Sequence, residues 1–262
     1  MKKILLAALF ASAACLPAHA LIKTKVVEYK DGDVVLQGYA AWEDGFKDSR
    51  PGILVVHEWK GHGPYARKRA EQLAKLGFTA FAVDMYGKGV YAKDHEEAGK
   101  LAGAFFGDRA LMRRRALAGL EQLKKLPFVE QGKLGAIGYC FGGTTVLELA
   151  RAGTDLRGVV SFHGNLSGPV PATEKPKAAI LVLHGADDAH VNPGVPGFIE
   201  EMRKSGADWQ FVQYGGAVHS FTVPEAGTDT AKGMAYDKAA DKRSWEAMHS
   251  FFDALFSDKP GK

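Results

Sequence analysis

Cysteine is scarce in this chain of 262 residues, and long apolar runs are scarce as well. There are two cysteines, Cys15 and Cys140, so a framework of several disulfides is excluded and the fold must be held by its core. No segment after residue 20 approaches the roughly 20 apolar residues that a transmembrane helix needs. A dinucleotide-type glycine fingerprint and a metal-ligand cluster of plausible spacing are also missing. We therefore expect no membrane span, no metal and no organic cofactor.

The chain also lacks a large excess of charge of one sign. It contains 34 Lys and Arg against 30 Asp and Glu, a formal net charge of +4, which gives no reason to expect a nucleic-acid partner. The basic run Arg113–Arg115 lies among apolar residues at helical spacing, and we interpret it as a solvated helix face. A small molecule is the expected partner, and a monomer is the default.

The first twenty residues have a composition of their own. Two lysines precede an apolar run, Ile4–Leu16, which is followed by Ala18-His19-Ala20. This pattern is typical of a secretory signal peptide, here cleaved after Ala20. It predicts an exported protein, which would be periplasmic if the source is a Gram-negative bacterium.

Cys15 allows a different interpretation of the same segment, as a lipoprotein cysteine preceded by small residues. Three positions before it, where a branched apolar residue is expected, stands Ser12. Cleavage after Ala20 would remove Cys15 and leave Cys140 as the only thiol. An unpaired thiol in an oxidising compartment favours a working role, and the alternative is an inert buried cysteine.

The mature chain, residues 21–262, has the pattern of a single α/β domain. Two alternating segments, Thr24–Tyr29 and Val34–Tyr39, flank a polar turn and predict an antiparallel hairpin. Beyond them, short apolar runs alternate with helix-like segments, which predicts a mostly parallel sheet with helices on both faces. The predicted strands are Ile53–Val56, Phe78–Val83, Leu134–Ile137, Val159–Phe162, Ile180–Leu183 and Trp209–Gln213, and the clearest helices are Tyr65–Leu76 and one that carries Trp245, Met248, Phe252 and Leu255 on one face.

A glycine-rich turn follows one of these strands. Gly138-Tyr139-Cys140-Phe141-Gly142-Gly143 stands between the strand Leu134–Ile137 and a helix-like stretch, Thr144–Ala150. This is the setting of a nucleophile elbow with cysteine in place of serine. Glycines are needed there because the sharp turn strains the backbone and leaves no room for a Cβ between helix and strand. The helix N-terminus favours the thiolate form of Cys140.

A carboxylate and a histidine follow the nucleophile in the chain order that acyl-transfer sites of this architecture require. Asp187 and Asp188 come after the strand Ile180–Leu183, and His219 comes after the strand Trp209–Gln213. The two aspartates are neighbours, and the setting His-Gly-x-x-Asp-x-x-Val favours Asp188 as the acid that orients His219. Taken singly, a histidine after a strand also fits a structural role. The ordered set predicts a catalytic site at the carboxyl edge of the sheet.

Over nearly all of the mature sequence the chain resembles the dienelactone hydrolase family of α/β-hydrolases. The specific part is the cysteine elbow together with an early glutamate, Glu58. The resemblance implies an α/β-hydrolase fold with Cys140 as nucleophile, Asp188 as acid and His219 as base. The matching segments are Val55–Gly61, Ala82–Gly87, Gly138–Gly143, Ser161–Gly164, His184–Asp188 and His219–Phe221.

The resemblance also implies roles for residues around the nucleophile. Glu58 would take the thiol proton when substrate binds, a step that is needed because a free thiol is only a few per cent thiolate at neutral pH. The alternative is a glutamate that caps the following loop. The backbone N–H groups of Phe141 and Trp59 would form the oxyanion hole.

One departure from the family pattern matters for the substrate. Family members that act on dienelactones hold the substrate carboxylate with basic residues, one of them four positions after the catalytic histidine, where this chain has Val223. Lys88 could supply another positive charge, although a loop lysine is more often solvated. Tyr86 in the same loop and His163 after the strand Val159–Phe162 are further candidate substrate-binding residues, and we expect His163 to line the pocket or to hydrogen-bond a loop.

The predicted function is hydrolysis of an ester or lactone through a Cys140 thioester. Cysteine as nucleophile favours activated esters such as enol lactones, although Val223 argues against a dienelactone itself. Two alternatives stay open: a hydrolase of small esters or peptide derivatives with the same fold, and a ligand-binding protein on a hydrolase scaffold that has lost its activity.

Overall fold

Eight strands form one sheet in the computed structural model, which describes residues 21–45, 48–168 and 174–257. The predicted leader, residues 1–20 with Cys15, lies outside these ranges. None of the described helices is long and apolar enough to cross a membrane. The strands are β1 (Ile22–Asp31), β2 (Val34–Glu43), β3 (Arg50–Val56), β4 (Thr79–Val83), β5 (Val129–Tyr139), β6 (Gly158–Phe162), β7 (Ala179–Gly185) and β8 (Trp209–Tyr214).

The sheet is mostly parallel, with the order β1-β2-β4-β3-β5-β6-β7-β8. β1 and β2 form an antiparallel hairpin, and β2 is also antiparallel to β4. All neighbouring pairs from β4 to β8 are parallel. Every residue of β4, β6 and β7 is buried, which explains why these strands are continuous apolar runs in the sequence. The predicted architecture is confirmed.

Helices cover both faces of this sheet. On one face, Leu73 of α1 (Pro64–Lys75) and Phe252 of α6 (Lys238–Phe256) share a buried cluster with Ile53. On the other face a second cluster joins α2 (His95–Gly107), α3 (Arg109–Lys124), α4 (Phe141–Arg151) and α5 (Val195–Ser205) through Phe105, Met112, Val146 and Phe198. Pro64 at the first turn and Gly77 at φ +90° delimit α1, close to the predicted bounds.

The arginine run differs from its interpretation as a solvated face. Arg115 is 4% exposed, and its Nε donates to Asp31 Oδ2 at 2.8 Å. Arg113 pairs at 3.1 Å with the buried Glu148 of α4, and the more exposed Arg114 also pairs with Asp31. The interpretation was wrong because the hairpin end places a carboxylate against α3, a contact between distant segments.

Candidate active site

Three side chains from three loops at the carboxyl edge of the sheet form one hydrogen-bonded chain. Cys140 follows β5, Asp188 follows β7 and His219 follows β8. The Sγ of Cys140 lies 3.1 Å from Nε2 of His219, and Nδ1 of His219 lies 2.7 Å from Oδ2 of Asp188. Since an ionised carboxylate can only accept, Nδ1 carries a proton and Nε2 faces the sulfur. Nε2 is thereby placed to exchange a proton with the thiol.

Glycines make the turn at Cys140 possible. Cys140 has φ +52° and ψ −111°, a conformation that a residue with a side chain rarely adopts. A Cβ on Gly138 would lie 2.0 Å from the carbonyl oxygen of Gly142, and one on Gly142 would lie 2.2 Å from that of Val56. The turn therefore closes because both positions lack a side chain, and it presents Cys140 in front of the N-terminus of α4.

Of the two neighbouring aspartates, Asp188 is the one beside His219. Asp188 is fully buried, whereas Asp187 is exposed. Its Oδ1 accepts the N–H groups of His190 and Val191 at 3.0 and 3.1 Å, which leaves Oδ2 for His219. Burial by itself raises the pKa of Asp188, but the hydrogen bond from His219, the charge of His219 and the backbone N–H of Val191 lower it below the ordinary value. The carboxylate therefore stays ionised at neutral pH.

The charge state of His219 depends on both of its partners. Burial by itself lowers the pKa of His219, yet the Cys140 thiolate and the Asp188 carboxylate raise it well above its ordinary value. A negative charge on Cys140 and a positive charge on His219 would therefore stabilise each other across the 3.1 Å contact. The thiolate is the form in which a cysteine attacks a carbonyl carbon.

Glu58 lies in a cavity of about 560 Å³ that reaches Ser220, the residue after His219. Its Oε1 is buried without a hydrogen-bond partner among the described residues, so this oxygen does not cap the following loop. Burial raises the pKa of Glu58 to about 7, and the nearby Glu225 also raises it, while His219 lowers it. Other walls of the cavity are formed by Trp59, Tyr65, Tyr91, His95, Val223 and Met234.

His57 fixes the turn that carries Glu58, a contribution that the sequence analysis missed. Its Nδ1 lies 2.5 Å from the carbonyl oxygen of Glu58, and its Nε2 accepts the N–H of Met85 at 3.2 Å. Burial lowers the pKa of His57 to about 4, so the ring is neutral and its proton is on Nδ1. The only signal in the sequence was its place beside Glu58 in the segment Val55–Gly61.

The two candidate oxyanion residues are joined by Tyr86. The hydroxyl of Tyr86 donates to the carbonyl oxygen of Trp59 at 2.9 Å, and its ring lies 5.5 Å from that of Phe141. Phe141 is the first residue of α4, where a backbone N–H has no acceptor within the helix. Tyr86 therefore contacts both residues and is placed to hold them in position. Burial raises the pKa of its hydroxyl, so the hydroxyl stays protonated and remains a donor.

The other residues that the sequence analysis considered for substrate binding lie in three different places. Lys88 is not among the residues that line the cavity; its Nζ pairs at 2.6 Å with Glu28 on the hairpin, and both side chains are about half exposed. His163 is fully buried and lies 2.8 Å from Oγ1 of Thr222, in the loop after His219. Val223 does line the cavity, where it presents an apolar surface.

No group of three or more His, Cys, Asp or Glu side chains within residues 21–45, 48–168 and 174–257 is arranged to hold a metal ion. The contacts of Cys140, His219 and Asp188 place a nucleophile, a base and an acid for proton transfer and nucleophilic attack.

Comparison with known proteins identifies related chains. The model of the dienelactone hydrolase family matches residues 36–256. A putative carboxymethylenebutenolidase of Aquifex aeolicus is 30% identical over 234 residues, which cover 87% of this chain and 97% of that protein. The solved structure called m3DLH is 39% identical with a TM-score of 0.86, and a dienelactone hydrolase-like promiscuous phosphotriesterase, P91, from metagenomic libraries is 40% identical with a TM-score of 0.85. Each match covers 90% of this chain and 99% of the other.

Proposed function

The chain belongs to the dienelactone hydrolase family of α/β-hydrolases and is a carboxylic ester hydrolase of that family; from this premise we propose that it cleaves an activated ester or lactone through a thioester on Cys140. The observation that carries the mechanism is the chain of hydrogen bonds from Cys140 through His219 to Asp188, with distances of 3.1 and 2.7 Å. A ligand-binding protein on an inactive hydrolase scaffold would not need to keep the sulfur of Cys140, the ring of His219 and the carboxylate of Asp188 aligned.

In the first half of the proposed reaction the thiolate sulfur of Cys140 attacks the carbonyl carbon of the substrate. The carbonyl electrons move onto oxygen, and the N–H groups of Phe141 and Trp59 stabilise the oxyanion. When the oxyanion collapses, the C–O bond to the leaving group breaks and the proton on Nε2 of His219 passes to the leaving-group oxygen, which leaves Nε2 free to act as a base in the second half. A thioester and a free alcohol or enol result.

In the second half, water takes the place of the leaving group. Nε2 of His219 removes a proton from the water as its oxygen attacks the thioester carbon, and Asp188 stabilises the imidazolium that forms. The second tetrahedral intermediate expels the Cys140 thiolate and releases the carboxylic acid. Glu58 assists the first half by accepting the thiol proton on substrate binding; its pKa of about 7 and its unpartnered Oε1 support that role.

The cavity supports an uncharged substrate better than a dienelactone, which carries a carboxylate. Val223 presents an apolar side chain where related enzymes use a basic residue, and Lys88 is paired with Glu28 outside the cavity. The walls carry two carboxyl groups, Glu58 and Glu225, and two lysines, Lys60 and Lys232, so they have no excess of positive charge to hold an anion. We therefore propose uncharged aryl or enol esters as the preferred class.

A second candidate function is hydrolysis of a phosphotriester. P91, which is 40% identical to this chain, is described as a promiscuous phosphotriesterase. A phosphotriester is uncharged, like the esters proposed above, and it has an electrophilic centre that a thiolate can attack. The same cavity and the same nucleophile would serve both reactions.

We also propose that the protein is exported, from the signal-peptide pattern of residues 1–20. N-terminal sequencing of protein from the periplasmic fraction of an expressing Gram-negative host should begin at Leu21. A chain that keeps its first twenty residues would contradict this.

The experiment for the main proposal is steady-state hydrolysis of an uncharged activated aryl ester, a dienelactone and an aryl phosphotriester by the mature protein. Cys140→Ala is the matched control, because it removes only the sulfur atom and we expect the variant to keep the fold. We expect turnover of the aryl ester that disappears in Cys140→Ala, and a trapped thioester by mass spectrometry in His219→Ala. Turnover that survives in Cys140→Ala would reject the mechanism.

A further inference from the structure

A buried hydrogen-bond network lies behind His219, and the proposed chemistry does not use it. At its centre is the hydroxyl of Thr222, a fully buried residue three positions after His219. Its Oγ1 lies 2.8 Å from Nε2 of His163 and accepts the hydroxyl of Tyr65 at 2.7 Å. The carbonyl oxygen of Thr222 accepts Nη2 of Arg69 at 3.0 Å. The backbone and the side chain of Thr222 are thus both fixed.

Arg69 anchors this network to two helices. It is 5% exposed, lies on α1, and pairs through Nη2 with Asp241 of α6. Its Nε also donates to the hydroxyl of Tyr65 at 3.1 Å, and its guanidinium lies over the rings of Tyr65 and Tyr139 at 5.2 and 5.4 Å. So many directional contacts leave Thr222 little freedom to move.

The network reaches the catalytic base through the ring of His163. The rings of His163 and His219 lie 5.2 Å apart with an interplanar angle of 69°, an edge-to-face contact. Burial lowers the pKa of His163 well below its ordinary value, and the neighbouring His219 and Arg69 lower it further. His163 therefore stays neutral and does not repel the imidazolium form of His219.

Backbone strain is concentrated in the same place. Within the described ranges four residues other than glycine have positive φ, and three of them are Cys140 at +52°, His163 at +41° and Ser220 at +58°. Such conformations are strained, and they persist where surrounding contacts enforce them. The hydrogen bonds of Thr222 are contacts of this kind, because Thr222 is two residues from Ser220 and binds His163.

We propose that Thr222 and His163 are positioning residues that hold His219 in line between Cys140 and Asp188. This rests on the proposed function only for its effect on turnover, since the alignment of His219 with Cys140 can be measured without a substrate. The hydroxyl of Thr222 fixes the ring of His163 and the loop of His219 together. Without it, Nε2 of His163 loses its partner in a buried site, and the edge-to-face contact is no longer held.

The test compares three proteins: the parent, Thr222→Val and Thr222→Ser. In each, the rate at which iodoacetamide alkylates Cys140 is measured by intact-protein mass spectrometry as a function of pH. Valine keeps the shape and removes the hydroxyl, while serine keeps the hydroxyl. Thr79→Val, at a buried position of β4 outside the site, is the matched control. We expect Thr222→Val to lower the alkylation rate at neutral pH about 10-fold, with its pH profile displaced to higher pH, because the thiolate loses its aligned imidazolium.

Steady-state kinetics give the second readout. In Thr222→Val we expect kcat for an aryl ester to fall about 10-fold or more, with KM changed less than about 2-fold, and Thr222→Ser should restore both readouts. If alkylation shifts but no variant or parent hydrolyses any ester, the proposed function fails and the positioning role stands.

Two results would overturn the positioning role: a Thr222→Val profile equal to that of the parent, or a Thr222→Ser profile that is not restored. Should Thr222→Val fail to fold, His163→Asn replaces it, because asparagine tolerates positive φ but has no ring to place against His219. A shifted alkylation profile then supports the role, and an unchanged one overturns it.

Discussion

Replacing Glu58 with glutamine should make the protein more stable above neutral pH and less active at the same time. Burial raises the pKa of Glu58 in the folded protein to about 7, against an ordinary value of 4.5 that applies to the unfolded chain. Between these two values the folded state binds more protons than the unfolded state. Stability therefore falls as the pH rises through this window, and the loss is complete above a pH of about 7.

The size of the effect follows from the two pKa values. The difference between about 7 and 4.5 corresponds to at most about 3 kcal/mol of lost stability at alkaline pH. Glutamine has nearly the same shape but cannot ionise, so Glu58→Gln should avoid the whole loss. The free energy of unfolding of the variant should exceed that of the parent by up to about 3 kcal/mol near pH 8.5, and the two should be equal near pH 4.5.

Urea unfolding of the parent and the variant at these two pH values measures this difference in unfolding free energy. The contributions of all other titrating groups cancel, because both proteins contain them. Glu246→Gln on α6 is the control, because its side chain is 62% exposed, and it should show no such pH dependence. In the same preparations kcat/KM of Glu58→Gln should fall about 100-fold or more, as expected for loss of a proton acceptor. A stability difference that is the same at both pH values would refute the reasoning, since Glu58 would then ionise as a solvated carboxyl.

Two further predictions concern the acid and the specificity. Asp188→Asn should lower kcat about 10³- to 10⁴-fold, because the amide cannot stabilise the imidazolium of His219; a loss below about 10-fold in steady-state assays would remove Asp188 from the mechanism. Val223→Arg should raise kcat/KM for an ester with a carboxylate in its acyl group relative to its uncharged analogue by about 10-fold, since a charge-assisted hydrogen bond becomes available. Val223→Met, which adds length without charge, is the control, and an equal ratio in both variants would contradict the specificity argument.

The carboxyl edge of the sheet was the part of this molecule that sequence could predict. β4, β6 and β7 are buried on both sides, so their apolar runs are continuous and easy to recognise. The loops that follow such strands must meet at one edge. Asp188 and His219 are each placed by the end of a strand, which is why two residues 31 positions apart could be paired before their 2.7 Å contact was known.

The sequence did not predict two of the helices, α2 and α5, because their local helical signals are weak. α2 contains Gly99, Gly103 and Gly107, which weaken a helical pattern. It nevertheless carries a start signal, because Asp94 accepts the N–H of Glu97 three residues later. α5 begins with Val195-Pro196-Gly197, and such a pair of Pro and Gly is typical of a loop. In both cases burial of one face decides the structure where local preference is weak.

Contacts between distant segments outside this edge could not be predicted. The sequence offers Lys88 as a substrate-binding residue, but the hairpin brings Glu28 within 2.6 Å of its Nζ. Tyr65 and Arg69 are four residues apart on α1, and nothing in that spacing indicates that both bind Thr222, more than 150 positions away. Such contacts depend on how α1 docks against the sheet.

The valine at position 223 also has an electrostatic consequence. A basic residue at this position would lower the pKa of a carboxyl in the same cavity. Val223 supplies no charge, and burial leaves Glu58 with a pKa of about 7. The uncharged Val223 thus offers no anchor for a substrate carboxylate, and it leaves Glu58 partly protonated at neutral pH. Val223→Arg should therefore lower the pKa of Glu58 as well as change specificity. The stability that Glu58→Gln gains at pH 8.5 should then be smaller in the Val223→Arg variant than in the parent. A gain of the same size in both would show that the two residues are not coupled.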